Sequence, residues 1–257
     1  MADPATPEHG AEDSSLFSHL IELRARLLRS IVGVMLVLAC LLPFTSKLYT
    51  WLAMPLISRL PNGQQMIAMN PAGAFFAPMK LAFFVALFVA APWLLYQAWA
   101  FVAPALYQRE KKLAAPLLGS AVVLFYAGCA FAYFLVLPMV FNFLLHFKPD
   151  IVAITPDINA YLDFVLVIFL AFGVSFELPV ALVILVLLGW VTPAQLKESR
   201  GYAVVGIFIL AAVITPPDVI SQLMLAVPMI LLYEAGILAA GMVAPTRRAA
   251  GDDASQG

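Results

Sequence analysis

Glu22, Glu110 and Glu177 are the side chains with the most capacity for chemistry, because each sets a carboxylate beside or inside a strongly apolar stretch. Glu22 lies in Ser18-His19-Leu20-Ile21-Glu22-Leu23-Arg24-Ala25-Arg26-Leu27, where Leu16, Leu20, Leu23 and Leu27 form one helical stripe. Glu22 and Arg26 are spaced to pair across one helical turn. A structural account suffices for this segment taken alone: Ser18 caps the helix, Glu22 favours its positive end, and the arginines anchor topology. Glu110 stands among Arg109, Lys111 and Lys112, the pattern of a charge-balanced turn. Yet two carboxylates on one surface can also grip a pair of guanidinium groups through bidentate bonds.

Glu177, in Gly173-Val174-Ser175-Phe176-Glu177-Leu178-Pro179, falls near the middle of an apolar run, where an acid costs at least ~2.5 kcal/mol on insertion scales. It therefore faces protein or a water-filled cavity, either holding helices together or forming a polar site. Pro179 is placed to kink the helix at that level and widen such a cavity. A second polar group, Thr215-Pro216-Pro217-Asp218 with Ser221 and Gln222, interrupts the last apolar block. It reads either as a tight turn whose aspartate caps the next helix, or as a polar contact for a partner span, since Thr and Gln hydrogen-bond across helices. For Glu234 neither a structural nor a functional role is favoured.

Trp93, Tyr96, Trp99 and Phe101 read as an interfacial aromatic belt. The three histidines and the two cysteines, Cys40 and Cys129, show no ligand spacing, so no metal site, disulfide or cofactor is expected. Phosphate-loop, HExxH and GxSxG patterns are absent, and no intramembrane Ser/His or paired-aspartate constellation is present, so the chain is not expected to be an enzyme.

The elements that must position these groups are membrane helices. Of 257 residues, 63% are hydrophobic and 11% charged, against roughly half and a quarter in soluble domains. A spanning helix needs about 20 apolar residues. The runs are Leu27 to Phe44, Phe75 to Ala103, Pro116 to Phe147, Tyr161 to Trp190 and Tyr202 to Ala244. The last is too long for one span, and Pro216, Pro217 and Asp218 divide it, giving six helices in all. The stretch from Tyr202 to Thr215 rises only ~21 Å against a core of about 30 Å, so span five is expected to be short, and span six is expected to be short as well. A short span thins the bilayer or gathers neighbouring helices.

Ten of the fourteen Lys and Arg residues fall on one side of this arrangement and four on the other, which places both termini in the cytoplasm. Residues 1–15, acidic and without Lys or Arg, read as a disordered cytoplasmic tail rather than a cleaved signal, and 245–257 as a second tail around the membrane domain at 16–244. The outer loop from Thr45 to Ala74, broken by Pro55, Pro61 and Pro71, is expected to form a cap with a short interfacial helix at Leu48 to Ile57. Charge is too segregated and too balanced, at net -1, to suggest nucleic-acid binding.

Five groups of residues in order resemble one family: His19-Leu20 with Glu22-Leu23-Arg24 and Arg26-Leu27; Tyr96-Gln97 with Trp99, Phe101 and Pro104; Glu110; Ser175-Phe176-Glu177 with Pro179; and Thr215-Pro216-Pro217-Asp218 with Ser221-Gln222. Together they are similar to TatC, the multispanning receptor subunit of the twin-arginine protein translocase. The resemblance runs from about Phe17 to Ala240 and omits both tails.

It implies an all-α, six-span, glove-like bundle in the inner membrane that binds Arg-Arg signal peptides of folded cargo. Glu22 and Glu110 match the family's recognition carboxylates, with Arg24 and Phe101 nearby. It also implies the single-span partners TatA and TatB, docking along span five near Thr215, Asp218 and Gln222, other TatC copies, and transport driven by proton-motive force. The rival reading, an ion-coupled transporter of a small solute, predicts paired interrupted spans in two halves, and no such pairing is visible.

Overall fold

A computed structural model of the chain describes residues 9–57, 71–102, 114–146, 157–214 and 219–243. Among these residues the fold is all α. In order come α1 (His9–Leu41), α2 (Thr45–Ile57), α3 (Pro71–Val89), α4 (Ala91–Val102), α5 (Ala114–Phe131), α6 (Leu137–His146), α7 (Ile158–Ser175), α8 (Leu178–Leu187), α9 (Pro193–Glu198), α10 (Arg200–Ile214) and α11 (Val219–Val243). Apolar residues facing lipid leave every backbone polar group to be satisfied internally, and helices do this locally.

Among the described residues four helical stretches are long and apolar enough to cross a membrane, and a fifth is added if α3 and α4 count as one bent span. α10, with 15 residues, is apolar but short, as the run from Tyr202 led one to expect. The expectation that span six is also short is not met: α11 has 25 residues, a rise of ~37 Å. The turn at 215–218 lies nearer the start of the final apolar block than its end, so the division leaves one short helix and one full one. α1 begins at His9, inside the stretch expected to be an unstructured tail. A helix occupies Thr45–Ile57 where a shorter one was expected; it includes Pro55 and follows α1 through a tight 3-10 turn at Leu42–Phe44.

Three spans are irregular, each at a proline. α3 and α4 meet at 52° around Ala90. Pro92 has no N–H for the carbonyl of Phe88, four residues back. The hydroxyl of Tyr126, on α5, donates to that carbonyl at 3.1 Å and so replaces the missing helical bond. Between α5 and α6, residues Ala132–Val136 form a π-helical turn just ahead of Pro138, with Leu137 N–H donating to Ala132 O. Pro138, which follows this wider turn, has no N–H for a helical bond. α7 and α8 are separated at Phe176 and Glu177, where Pro179 stands in the first turn of α8, a position with no helical N–H bond to lose. The kink expected at Pro179 is thus a break two residues before it.

The main core is built from α5 to α11 around Phe172, Ile168, Leu225, Met229 and Ile237. α5 lies against α7, α8 against α11, and α11 against α10. Gly128 permits the first approach: a Cβ there would lie 2.6 Å from the Phe172 carbonyl oxygen. Gly236 permits the second, since a Cβ would lie 2.6 Å from Leu182 Cδ1 and 3.0 Å from Pro179 Cα. α1 stands at the margin. It packs on α3 and α4 through a separate small cluster of Val34, Ala86 and Ala90.

Candidate functional site

α1 and α4 carry the described part of the candidate recognition site. Glu22 lies in the N-terminal half of α1, where Arg26 donates to its Oε1 from Nη2 at 2.5 Å and from Nε at 3.0 Å. The i, i+4 pairing expected from the sequence is therefore formed, and both bonds use one carboxylate oxygen. Arg24 is exposed on the same helix. Phe101, half-buried, is the penultimate residue of α4. Glu110 lies outside the described residues.

The two helices are joined at one level by Trp93, whose indole N–H donates to the Arg29 carbonyl at 3.1 Å. The C-terminal end of α1 leads through a 3-10 turn to α2, which packs on α3, so α4, following α3, runs back along α1 and numbers fall along α1 as they rise along α4. From that joint Glu22 lies seven residues beyond Arg29, a rise of ~10 Å, and Phe101 eight residues beyond Trp93, ~12 Å. The carboxylate, Arg24 and the aromatic ring thus occupy the same end of one helix pair. Trp93 is more than a member of an interfacial belt, because it bonds to another span; Tyr96 stacks obliquely on it, ring centroids 5.9 Å apart. Trp99 packs against the main core instead.

Glu177 occupies the break between α7 and α8. Its N–H donates to Val174 O at 3.0 Å and its carbonyl accepts from Ala181 at 2.9 Å, so the backbone is satisfied through the irregular turn. Its Oε1 is buried with no hydrogen-bond partner among the described residues. The Oε1 of Gln97, on the deeply buried side of α4, is in the same condition. Buried polar atoms are rarely left so. Sequence reasoning singled out Glu177 by its apolar surroundings, but gave Gln97, a neutral residue in an aromatic run, no weight of its own.

Of the proposed partner-contact residues, Thr215 and Asp218 lie outside the described residues, as do Pro216 and Pro217. Gln222 is within them, and its Nε2 donates to Phe208 O at 3.1 Å. Its amide therefore joins α11 to α10 inside the chain. Glu234, left without an assigned role, pairs with Arg200 at 2.6 Å, and the neighbouring Tyr233 hydroxyl donates to Leu196 O at 2.9 Å. These two contacts tie α9 and the start of α10 to α11. A further ion pair, Lys80 Nζ to Asp163 Oδ1 at 2.5 Å, joins α3 to α7. Neither interhelical ion pair had a sequence signal, because the partners lie far apart in the chain. No cluster of three or more His, Cys, Asp or Glu side chains suited to a metal is found among the described residues.

Among the described residues no nucleophile and base are in contact. What the arrangement can do is bind: one end of a helix pair that carries a carboxylate, guanidinium groups and a phenyl ring suits a cationic, partly apolar chain. Comparison with known proteins agrees in class. The profile of one family, Sec-independent protein translocase protein (TatC), matches residues 18–228. A TatC of Azotobacter chroococcum is 51% identical over 226 residues, 88% of this chain and 89% of that one. Those of Haemophilus influenzae and Escherichia coli K12 are 49% and 50% identical, covering 91% and 86% of this chain and equal shares of their own. A crystal structure described as the twin-arginine translocase receptor TatC superposes with a TM-score of 0.78 at 37% identity, covering 87% of this chain and 98% of that one. A second, obtained in the detergent DDM, gives 0.79 at 37% identity, with 86% and 99% coverage. This chain belongs to the TatC family and is a multispanning helical component of a Sec-independent protein translocase.

Proposed function

We propose that the chain is the receptor for twin-arginine signal peptides, with Glu22 and Glu110 gripping the guanidinium pair while Arg24 and Phe101 border the site. The observation that carries this reading is the placement of Glu22, Arg24 and Phe101 at the same end of the antiparallel pair α1 and α4. One oxygen of Glu22 is held by Arg26, which fixes the carboxylate and leaves its second oxygen for a ligand. Charge-assisted bonds contribute roughly 1.5–3 kcal/mol each, reduced by solvent where the group is exposed.

In this reading the chain crosses the inner membrane six times, α10 being the short fifth span, with both termini in the cytoplasm by the distribution of Lys and Arg. The site then faces the cytoplasm. The apolar part of the signal enters along the bundle toward Glu177. TatA and TatB dock along α10 near Thr215 and Asp218, other TatC copies complete the assembly, and proton-motive force drives passage. Gln222 contributes to that docking edge by fixing α11 to α10, in keeping with its bond to Phe208.

The test is binding of an Arg-Arg signal peptide and its Lys-Lys twin to the detergent-purified chain and to a Glu22→Ala/Glu110→Ala variant. A preference for Arg-Arg that vanishes in the variant is expected. Equal binding of both peptides by the unaltered chain would eliminate the carboxylate grip.

A further inference from the structure

We propose that the seat of Trp93 on Gly33 is a positioning joint that sets the angle of α1, so that selectivity for a guanidinium pair depends on two residues well removed from the carboxylates. The proposal rests on the receptor reading of Glu22, Arg24 and Phe101.

The joint is built by an absent side chain. A Cβ on Gly33 would lie 2.5 Å from Trp93 Cδ1 and 2.6 Å from Nε1, so the indole rests on bare backbone. From there its N–H reaches the Arg29 carbonyl at 3.1 Å. That carbonyl is the helical acceptor for Gly33's own N–H, and the indole takes its second lone pair. A larger residue at 33 closes the seat and displaces the donor together.

α1 needs such a device because little else orients it. Of the window taken from Leu20–Trp51, 6% is buried within the chain, against 33%, 50% and 39% for the windows in Ala115–Phe141, Asn159–Leu187 and Gln222–Val243. Its apolar contact consists of Val34 against Ala86 and Ala90 with a fringe of partly buried residues. Alanine surfaces permit close approach without choosing one crossing angle, whereas a directional bond chooses one.

The lever is long. Glu22 is eleven residues from Gly33, ~16 Å along the axis, so a tilt of about 10° at the joint moves the carboxylate by about 3 Å. A guanidinium fork requires both of its bonds in fixed geometry, while an ammonium on a flexible stem follows a displaced oxygen. Tilting α1 therefore reduces the preference for Arg-Arg over Lys-Lys more than it reduces binding of Lys-Lys. Loss of folded protein, by contrast, lowers the amount of active receptor for both peptides alike and leaves their affinity ratio unchanged.

The experiment measures affinities of the full-length chain in detergent for Arg-Arg and Lys-Lys signal peptides, in wild type, Gly33→Ala, Trp93→Phe, Trp93→Leu and Gly33→Ala/Trp93→Leu. Gly33→Ala is expected to lower the affinity ratio about fivefold, the worth of roughly one oriented hydrogen bond. Trp93→Phe, which keeps a ring and loses the N–H, lowers it similarly and serves if Gly33→Ala folds poorly. In the Trp93→Leu background, Gly33→Ala has little further effect, because the clash is gone. A wild-type ratio in both Gly33→Ala and Trp93→Phe, or additive losses in the double variant, overturns the joint while leaving the receptor reading intact. A wild-type chain that binds the two peptides alike overturns the receptor reading and the joint with it.

Discussion

Replacing Tyr126 by phenylalanine removes one oxygen and tests the account of the bent second span. Pro92 deprives the Phe88 carbonyl of its helical donor, and the Tyr126 hydroxyl supplies another at 3.1 Å from α5. Phe88 lies near the centre of the stretch from Phe75 to Val102, where a bilayer offers no water to take over. An orphaned carbonyl in that setting costs about 1–3 kcal/mol on general grounds, while interhelical bonds measured in membrane proteins average ~0.6 kcal/mol. Because Tyr126 is itself partly exposed on the bundle surface, the expected loss for Tyr126→Phe is about 1 kcal/mol. The assay is unfolding of the purified chain in mixed detergent micelles. The decisive comparison is with Pro92→Ala, which restores an N–H to the Phe88 carbonyl from within the helix. In that background Tyr126→Phe should cost close to nothing. A Tyr126→Phe penalty of equal size with and without Pro92 would refute the claim that the hydroxyl substitutes for the missing donor.

Other consequences follow from packing and charge. Gly128→Ala sets a Cβ 2.6 Å from a backbone oxygen of α7 and is expected to destabilise by about 1–3 kcal/mol, whereas Gly206→Ala, with open space at that point, is neutral or stabilises by up to ~1 kcal/mol; thermal melts in detergent compare the two. Arg200→Ala breaks a largely exposed ion pair with Glu234 and should cost under about 1 kcal/mol, less at high salt. Tyr233→Phe, which loses the bond to Leu196 O from a buried side chain, should cost about 1 kcal/mol irrespective of salt, and the same melts at two ionic strengths distinguish them.

The apolar runs marked the spans, and a few local rules carried further: Glu22 and Arg26 pair one turn apart, and a proline near Glu177 interrupts span four where an acid lies in an apolar run. Other details needed the fold. The 52° bend beside Pro92 was not read from the sequence, and the donor that answers the freed Phe88 carbonyl is Tyr126, brought there by the packing of α5. The group around Gln222 reads in the sequence as a tight turn or as a contact for a partner span, and the proximity of α10 adds a bond within the chain that neither reading contained. Length alone misjudged α11, because the position of the dividing turn, rather than the size of the apolar block, apportions residues between the last two helices.

The sequence by itself determined that this is a helical membrane protein, since hydropathy over some 20 residues and helical hydrogen bonding are both local properties, while its likeness to the TatC family rests on five ordered groups of residues from His19-Leu20 to Ser221-Gln222. Tertiary structure decided which polar groups meet. Arg29 with Trp93, Phe88 with Tyr126 and Arg200 with Glu234 are separated by 64, 38 and 34 residues, distances at which no periodicity links the partners. Such pairs are selected by helices that have already packed, because only then do groups so far apart in the chain come within hydrogen-bond reach.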